Sequence, residues 1–258
     1  MDPLKIFIGW DSRDRAAYDV LKFSIEKNTF NKIKIIPLNH KELRRQGYFS
    51  RPWLVEPQTG DMIDLVDKRK FSTEFSHTRF LVPELCKHQG WAVYMDCDML
   101  VRCNIKELLE LKDESKAVMV VKHNHKPKQE RKDTGEPQQR YHRKNWSSMV
   151  LWNCGHPSNK QASIFTVNTR AGSWLHGFEW LNDLEIGALP SYFNWIEGST
   201  PIEDVPPKII HFSQGGPWQT GKRDIMFSDE WWRYYKLYND DMPLPYMDIS
   251  TINYKELA

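Results

Sequence analysis

Apolar and polar positions along this chain fall into runs of two periods. Leu4 to Gly9 is an apolar run ending in Gly-Trp-Asp-Ser, which predicts a buried strand. Asp14 to Glu26 places Ala16, Ala17, Val20, Leu21, Ser24 and Ile25 on one helical face, and Ile33 to Leu38 predicts a second strand. Strand, helix and strand in the first forty residues imply a parallel sheet with a right-handed crossover. Residues 47–70 are turn-rich and give no clear assignment. Phe75 to Cys86 predicts a helix interrupted or tightened at Pro83. Val93 to Met95 is a short, β-rich apolar run and reads as a strand. A helix near Ile105 to Leu111 and a strand at Ala117 to Val121 follow. Ser147 to Trp152 returns to strand character, and Leu189 to Ile196 is strand or turn. Lys208 to His211 is a last short strand, and Trp231 to Tyr238 suggests an aromatic-rich terminal helix. No repeat or linker interrupts the series, so residues 1–258 read as one α/β domain with a C-terminal helical extension.

Residues 122–144 break the pattern. They carry eight basic residues, from Lys122 to Lys144, against Glu130, Asp133 and Glu136, with almost no apolar content. The expectation is a long mobile loop, either a solvated excursion or a lid or acceptor-contacting loop, since long loops inside compact domains are often functional.

Composition changes this picture little. Lys+Arg 36 against Asp+Glu 34 leaves a formal charge of +2, which offers no global argument for nucleic-acid or membrane-surface binding. The N-terminus lacks signal-peptide architecture, and no apolar run approaches the ~18 residues needed to span a bilayer. Cys86, Cys97, Cys103 and Cys154 have no zinc-ligand spacing. Reduced thiols in a cytoplasmic protein, one that could also sit at a membrane periphery, are the simpler account.

The chemistry concentrates at Asp96 and Asp98, two residues apart at the carboxyl end of the Val93–Met95 strand. Open α/β sheets place their ligand crevices at such strand ends. In extended backbone, residues i and i+2 point to the same side, so both carboxylates can face one hard divalent cation, which can in turn grip a diphosphate. An isolated Asp-x-Asp is more often a pair of turn acids, but these flanks are apolar on both sides.

Counting this pair, four separated segments converge: Gly9-Trp10-Asp11-Ser12-Arg13, Arg79 on the preceding helix, Asp96-Cys97-Asp98, and His211-Phe212-Ser213-Gln214-Gly215-Gly216-Pro217-Trp218. The ordered set, over roughly residues 4–218, resembles the metal-dependent GT-A glycosyltransferases, specifically glycosyltransferase family 8, that of glycogenin and the lipopolysaccharide galactosyltransferases. The resemblance implies a GT-A, Rossmann-like fold with a mostly parallel central sheet. Residues 1–121 would then form the nucleotide-binding half and residues 145–258 the acceptor side. It implies Asp11 at the nucleotide base, with Gly9 admitting the base to the backbone and Arg13 beside them. Arg79 would reach the donor diphosphate or sugar, and Cys97 the ribose through its backbone. Asp96, Asp98 and His211 would be metal ligands. Two carboxylates and an imidazole suit Mn²⁺ better than Ca²⁺, with Mg²⁺ as an alternative. The Gly215-Gly216 pair can bring backbone N–H groups to phosphate oxygens. The implied reaction moves a sugar from a nucleotide-diphosphate donor, with uridine as the implied base, to a glycan or other hydroxyl acceptor with retention.

Three departures from the family pattern stand out. The lysine that usually precedes the Pro-Trp is Gly216 here, with Lys222 or Arg223 as substitutes. The usual Asn-x-Gly is replaced by Trp146-Ser147-Ser148. The family's Asp-Gln pair beside the reacting sugar has no clean match, and the segment 180–187 supplies Asp183 and Glu185 as catalytic candidates. Taken singly, each residue has a plainer reading. Asp11 alone would be a helix N-cap, Arg79 a surface ion pair, His211 a core histidine, Asp183 a helix-end acid and Glu185 a surface residue. Competing functions are a haloacid-dehalogenase-like phosphatase, a sugar nucleotidyltransferase, and a nucleotide-sugar-binding module without chemistry. Leu100 fits the first poorly, and Gly9-Trp10-Asp11-Ser12-Arg13 is a poor phosphate loop for the second.

Overall fold

A computed structural model describes residues 2–30, 32–123, 143–241 and 252–257. Most of the basic stretch expected to form a mobile loop, 124–142, lies outside the described residues.

The chain opens as expected. Strand β1 (Leu4–Gly9), helix α1 (Arg15–Asn28) and strand β2 (Ile33–Leu38) make a parallel crossover, with Leu4 opposite Ile33 and Gly9 opposite Leu38. Helix α1 is buried on two sides where the pattern suggests one. Tyr18, Leu21 and Ile25 pack on the main core, while Val20 and Phe23 join a second cluster with Leu100, Ile210 and Trp231. A short helix α2 (His40–Arg45) is capped by the Asn39 side chain, which accepts from the Lys41 and Glu42 amides.

The unassigned stretch resolves into a small antiparallel sheet of β3 (Trp53–Val55), β4 (Met62–Asp64) and β5 (Arg69–Phe71). Thr78–Leu81 is a 3-10 turn running into α3 (Val82–Leu85). Pro83, in the first turn of α3, has no amide to donate, which suits a helix start.

Strand β6 (Trp91–Met95) pairs with β1, and β7 (Met99–Val101) follows it. Ile105–Leu111 is helical but of 3-10 type, started by the Asn104 side chain on the Lys106 amide. Strands β8 (Val118–Val120), β9 (Met149–Asn153) and β10 (Ile186–Ala188) complete a six-stranded sheet of order β10-β8-β9-β6-β1-β2. It is mostly parallel; β9 alone runs against its two neighbours. Helices α4 (Ile164–Thr169) and α5 (Gly172–His176) lie between β9 and β10 in the chain.

Strand β7 leaves the main sheet and pairs antiparallel with β12 (Ile209–His211), which also pairs with β11 (Trp195–Ile196). This second sheet is what places the site, because its register sets His211 opposite Met99, the residue after Asp98. The terminal helix α6 (Ser228–Asp241) packs Trp231 and Tyr234 into the cluster below it. Among the described residues, no helix is long and apolar enough to cross a membrane.

Candidate active site

Strands β6, β7 and β12 converge on one corner. Asp96 and Asp98 leave the end of β6, and His211 ends β12. One ligand atom from each lies within 4.8 Å of the other two. The Asp96 amide donates to Ser148 O at 2.9 Å, and the Phe212 amide donates to Asp98 O at 2.9 Å. Backbone bonds thus hold the corner from both sides.

Its electrostatics are unbalanced. His211 Nε2 lies 3.4 Å from Asp98 Oδ1, an ion-pair distance, yet among the described residues that buried oxygen has no hydrogen-bond partner. Burial, the largest single influence, would raise the Asp98 carboxyl, but the His211 charge and contact, a backbone hydrogen bond and the Arg79 charge together turn the net direction down. Burial would lower His211, and the Asp98 and Asp96 carboxylates push it up instead. Asp96 is raised, by burial first, despite Arg79. Two carboxylates and an imidazole packed together with a buried oxygen left over are a donor set that a divalent cation would complete.

Arg79 belongs to this corner. Its Nη1 lies 2.9 Å from Asp96 Oδ1 and donates to Ser147 O at 3.0 Å. The guanidinium sits 5.4 Å from the Phe75 ring centroid and 5.1 Å from that of Tyr94. Tyr94 Oη donates to the same Asp96 oxygen at 2.6 Å. Tyr94 is a site residue that the sequence reading missed. Its signal was the same i, i+2 spacing that singled out the acids.

The corner after β1 is built differently. Asp11 is fully buried, and its Oδ1 accepts from the Arg13 amide at 3.0 Å and Nε at 2.8 Å. Its Oδ2 accepts from Arg13 Nη2 at 2.6 Å and the Glu74 amide at 3.0 Å. Ser12 returns the tie, donating its amide and hydroxyl to Glu74. Asp11 here joins the β1 turn to segment 72–74. Gly9 has a packing reason as well, since a Cβ there would stand 2.5 Å from the Phe75 ring. Cys97 is buried between the two acids.

A cleft of about 660 Å³ opens over the metal-ligand corner. Asp14, Arg79, Ser147, Ser148, His176 and Gly215 are among its walls, and it extends to Asp64, Asp67 and Arg69 beside the β3–β5 sheet. Gly215 has φ +100°, the left-handed region that favours glycine, and a Cβ on Gly216 would overlap the Trp218 ring. Asp11, Arg13, Asp183 and Glu185 do not line this cleft. Asp183 is 78% exposed and pairs with Arg143 at 2.7 Å. Glu185 closes a capping box with Asn182 and accepts from Ser158 Oγ. The Glu185 carboxylate thus serves a helix start, while that of Asp183, in the same first turn, is tied to Arg143.

The model of the family described as "Glycosyl transferase family 8" matches residues 16–156. A curated relative, "Protein CDI" of Arabidopsis thaliana, is 41% identical over 243 residues, covering 93% of this chain and 88% of its own length. The chain belongs to glycosyl transferase family 8. It is a glycosyltransferase, as the resemblance implied.

Solved structures of glycosyltransferases share the GT-A fold. The apo bifunctional glycosyltransferase WbbM aligns with TM-score 0.58 at 17% identity, over 90% of this chain and 49% of its own. Apo GlyE of Streptococcus pneumoniae TIGR4 gives 0.57 at 16%, over 93% and 63%. The galactosyltransferase LgtC, in complex with donor and acceptor sugar analogues, gives 0.54 at 14%, over 94% and 98%. The chain therefore spans about half of WbbM and under two thirds of GlyE.

Family 8 membership makes the departures from the family pattern concrete. Lys222 Cε lies 3.6 Å from where a Cβ on Gly215 would stand, beside the glycine turn. Arg223 instead stacks against Trp232, 5.8 Å from its ring centroid. The Trp146-Ser147-Ser148 replacement puts two serines on the cleft wall, and Ser147 Oγ is 2.8 Å from His176 Nδ1. Burial first, then Arg79 and Arg51, hold His176 down to about 3, so this imidazole is neutral at physiological pH.

Proposed function

We propose that this family 8 enzyme transfers a sugar from a uridine-diphosphate donor to a hydroxyl acceptor, with retention, in a Mn²⁺-dependent reaction. The observation that carries the metal reading is the Asp96–Asp98–His211 cluster with its unsatisfied Asp98 oxygen. A divalent cation held there would supply positive charge against the departing diphosphate. Arg79, clamped between Phe75 and Tyr94, adds fixed charge from the side of Asp96. Gly215 on the cleft wall, with Lys222 beside it, supports a phosphate-binding role for this turn. Mg²⁺ is the alternative ion.

Retention rests on the resemblance and gains support from the cleft carboxylates. Asp14 accepts from Trp218 Nε1 at 3.0 Å, Asp64 pairs with Arg51 at 2.5 Å, and Asp67 accepts the Gly172 amide at 2.8 Å. Among the described residues, the acids lining the cleft outside the metal corner are thus engaged. His77 and His176 are both held below the ordinary imidazole range by burial first, which makes them weak bases. A front-face route, in which the departing phosphate oxygen takes the acceptor proton, needs no such base. Four free cysteines, three of them buried, fit a reducing, cytoplasmic compartment.

Incubating the full chain with uridine-diphosphate sugars and Mn²⁺, with and without chelator, tests this reading. Chelator-sensitive donor turnover is expected, and NMR of the first-formed product should show the donor's anomeric configuration. Turnover unaffected by chelator would remove the metal from the reaction. An inverted product would remove retention alone.

A further inference from the structure

We infer that Ser148 and Asn194 are positioning residues that fix the tautomer of His211 and so aim its Nε2 at the metal position. The inference rests on the metal reading proposed above. It starts from a hydrogen-bond relay whose directions are forced at one end. Ser148 Oγ lies 2.8 Å from Asn145 O, and a carbonyl can only accept, so the hydroxyl proton is spent there. The Ser148 oxygen is left with lone pairs and accepts from Asn194 Nδ2 at 2.9 Å. That contact orients the amide, turning Asn194 Oδ1 toward His211 Nδ1 at 3.0 Å. A carbonyl oxygen there requires the proton on Nδ1. In the neutral ring Nε2 then carries the lone pair, and Nε2 is the atom facing Asp98.

All three side chains are buried: Asn194 is wholly enclosed, and His211 and Ser148 are nearly so. Little solvent reaches these bonds, and a misdirected amide on the enclosed Asn194 would leave buried groups unpaired. Ser148 also links the two halves of the corner. Its carbonyl accepts the Asp96 amide while its hydroxyl, through Asn194, steers His211. The residue that stands where the family pattern has glycine thus supplies an oxygen that glycine lacks. Metal-binding imidazoles commonly hand their second nitrogen to such a partner, and its loss typically costs 10–100-fold in metal affinity.

Two readouts test the relay on the full chain. Long-range ¹H–¹⁵N NMR of the metal-free protein, at a pH where His211 is neutral, should show the Nδ1–H tautomer; an Nε2–H ring would overturn the inference. Mn²⁺ affinity, measured by electron paramagnetic resonance, should fall 10–100-fold in Asn194→Leu. It should fall by less in Ser148→Ala, where the amide loses its guide but keeps its carbonyl. Asn194→Asp, which retains an acceptor for Nδ1–H, should recover most of the affinity. Circular dichroism and melting temperature separate these effects from misfolding. Unchanged Mn²⁺ affinity in a folded Asn194→Leu protein would overturn the relay. A wild-type protein that binds no divalent ion would instead fail the metal reading, and the NMR tautomer would still decide the orientation of His211.

Discussion

Asp11 and Asp98 follow neighbouring parallel strands, β1 and β6, at the same edge of the sheet, and they end in opposite states. Both oxygens of Asp11 are satisfied by Arg13 and by the Glu74 amide. Asp98 keeps a buried oxygen with no hydrogen-bond partner among the described residues, beside a histidine and a second acid. The first arrangement ties two segments together and leaves little capacity for a ligand. The second is costly as it stands, and a cation would relieve it. A strand-end aspartate reads identically in sequence in either case. What separates a structural acid from a ligand-ready one is how many of its hydrogen-bonding sites the fold has already filled.

The largest expected effect falls on the open corner. Asp98→Ala should cost roughly a thousandfold in metal-dependent turnover, about 4 kcal/mol of transition-state stabilisation. Its melting temperature should stay close to wild type, because an unsatisfied buried oxygen leaves with it. Steady-state kinetics beside thermal melts check both halves. Undiminished turnover would break the contrast outright.

Asp11→Ala should show the reverse emphasis. It removes an acceptor of bonds from a guanidinium and two backbone amides, so denaturant titration should show a loss of about 3 kcal/mol in stability. A folded Asp11→Ala protein of wild-type stability would mean that the closed corner is ornamental.

The same corner gives a pH dependence. Burial would raise the Glu74 carboxyl, but hydrogen bonds outweigh it and hold the group down at about 2. Ser12 provides the direct bonds; His40 Nε2 stands 3.8 Å off. A depressed carboxyl contributes stability that is present above its ordinary value near 4.5 and lost as pH falls toward 2. Discounted for its partial exposure, the loss should be on the order of 1–2 kcal/mol. Thermal melts across that window should be flatter for Glu74→Gln than for wild type; parallel curves would assign the acid sensitivity elsewhere.

The smallest effect sharpens the comparison. The Arg13 side chain is 52% exposed, so Arg13→Ala should cost only about 1 kcal/mol, since Asp11 keeps its two backbone donors. A loss in denaturant titration equal to that of Asp11→Ala would show that the ion pair, not the backbone, closes this corner.

Much of this architecture was legible in the chain, and the illegible parts have physical reasons. Leu4–Gly9, the helix after it and Ile33–Leu38 carry clean periodicity and fold as read. The β3–β5 sheet did not show itself because three-residue strands are too short to display alternation. Asp96, Asp98 and His211 are 115 residues apart at their extremes, yet family order brought them together and the β7–β12 register places them in contact. Asn194 could not be found this way, because a lone asparagine in an aromatic turn carries no pattern. Its role exists only through the partners that the fold places around it. Asp183 and Glu185 stood out by proximity to a missing motif; the Asn182 cap that engages Glu185 was present in the same segment, whereas the Arg143 partner of Asp183 comes from 40 residues away.

The central claim is that the corner at Asp98 takes a metal ion and the corner at Asp11 does not. Mn²⁺ titration followed by electron paramagnetic resonance, on wild type, Asp98→Ala and Asp11→Asn, tests it most directly. The account predicts one Mn²⁺ site in wild type, the same site with similar affinity in Asp11→Asn, and its loss in Asp98→Ala. Wild-type Mn²⁺ affinity in Asp98→Ala would contradict it.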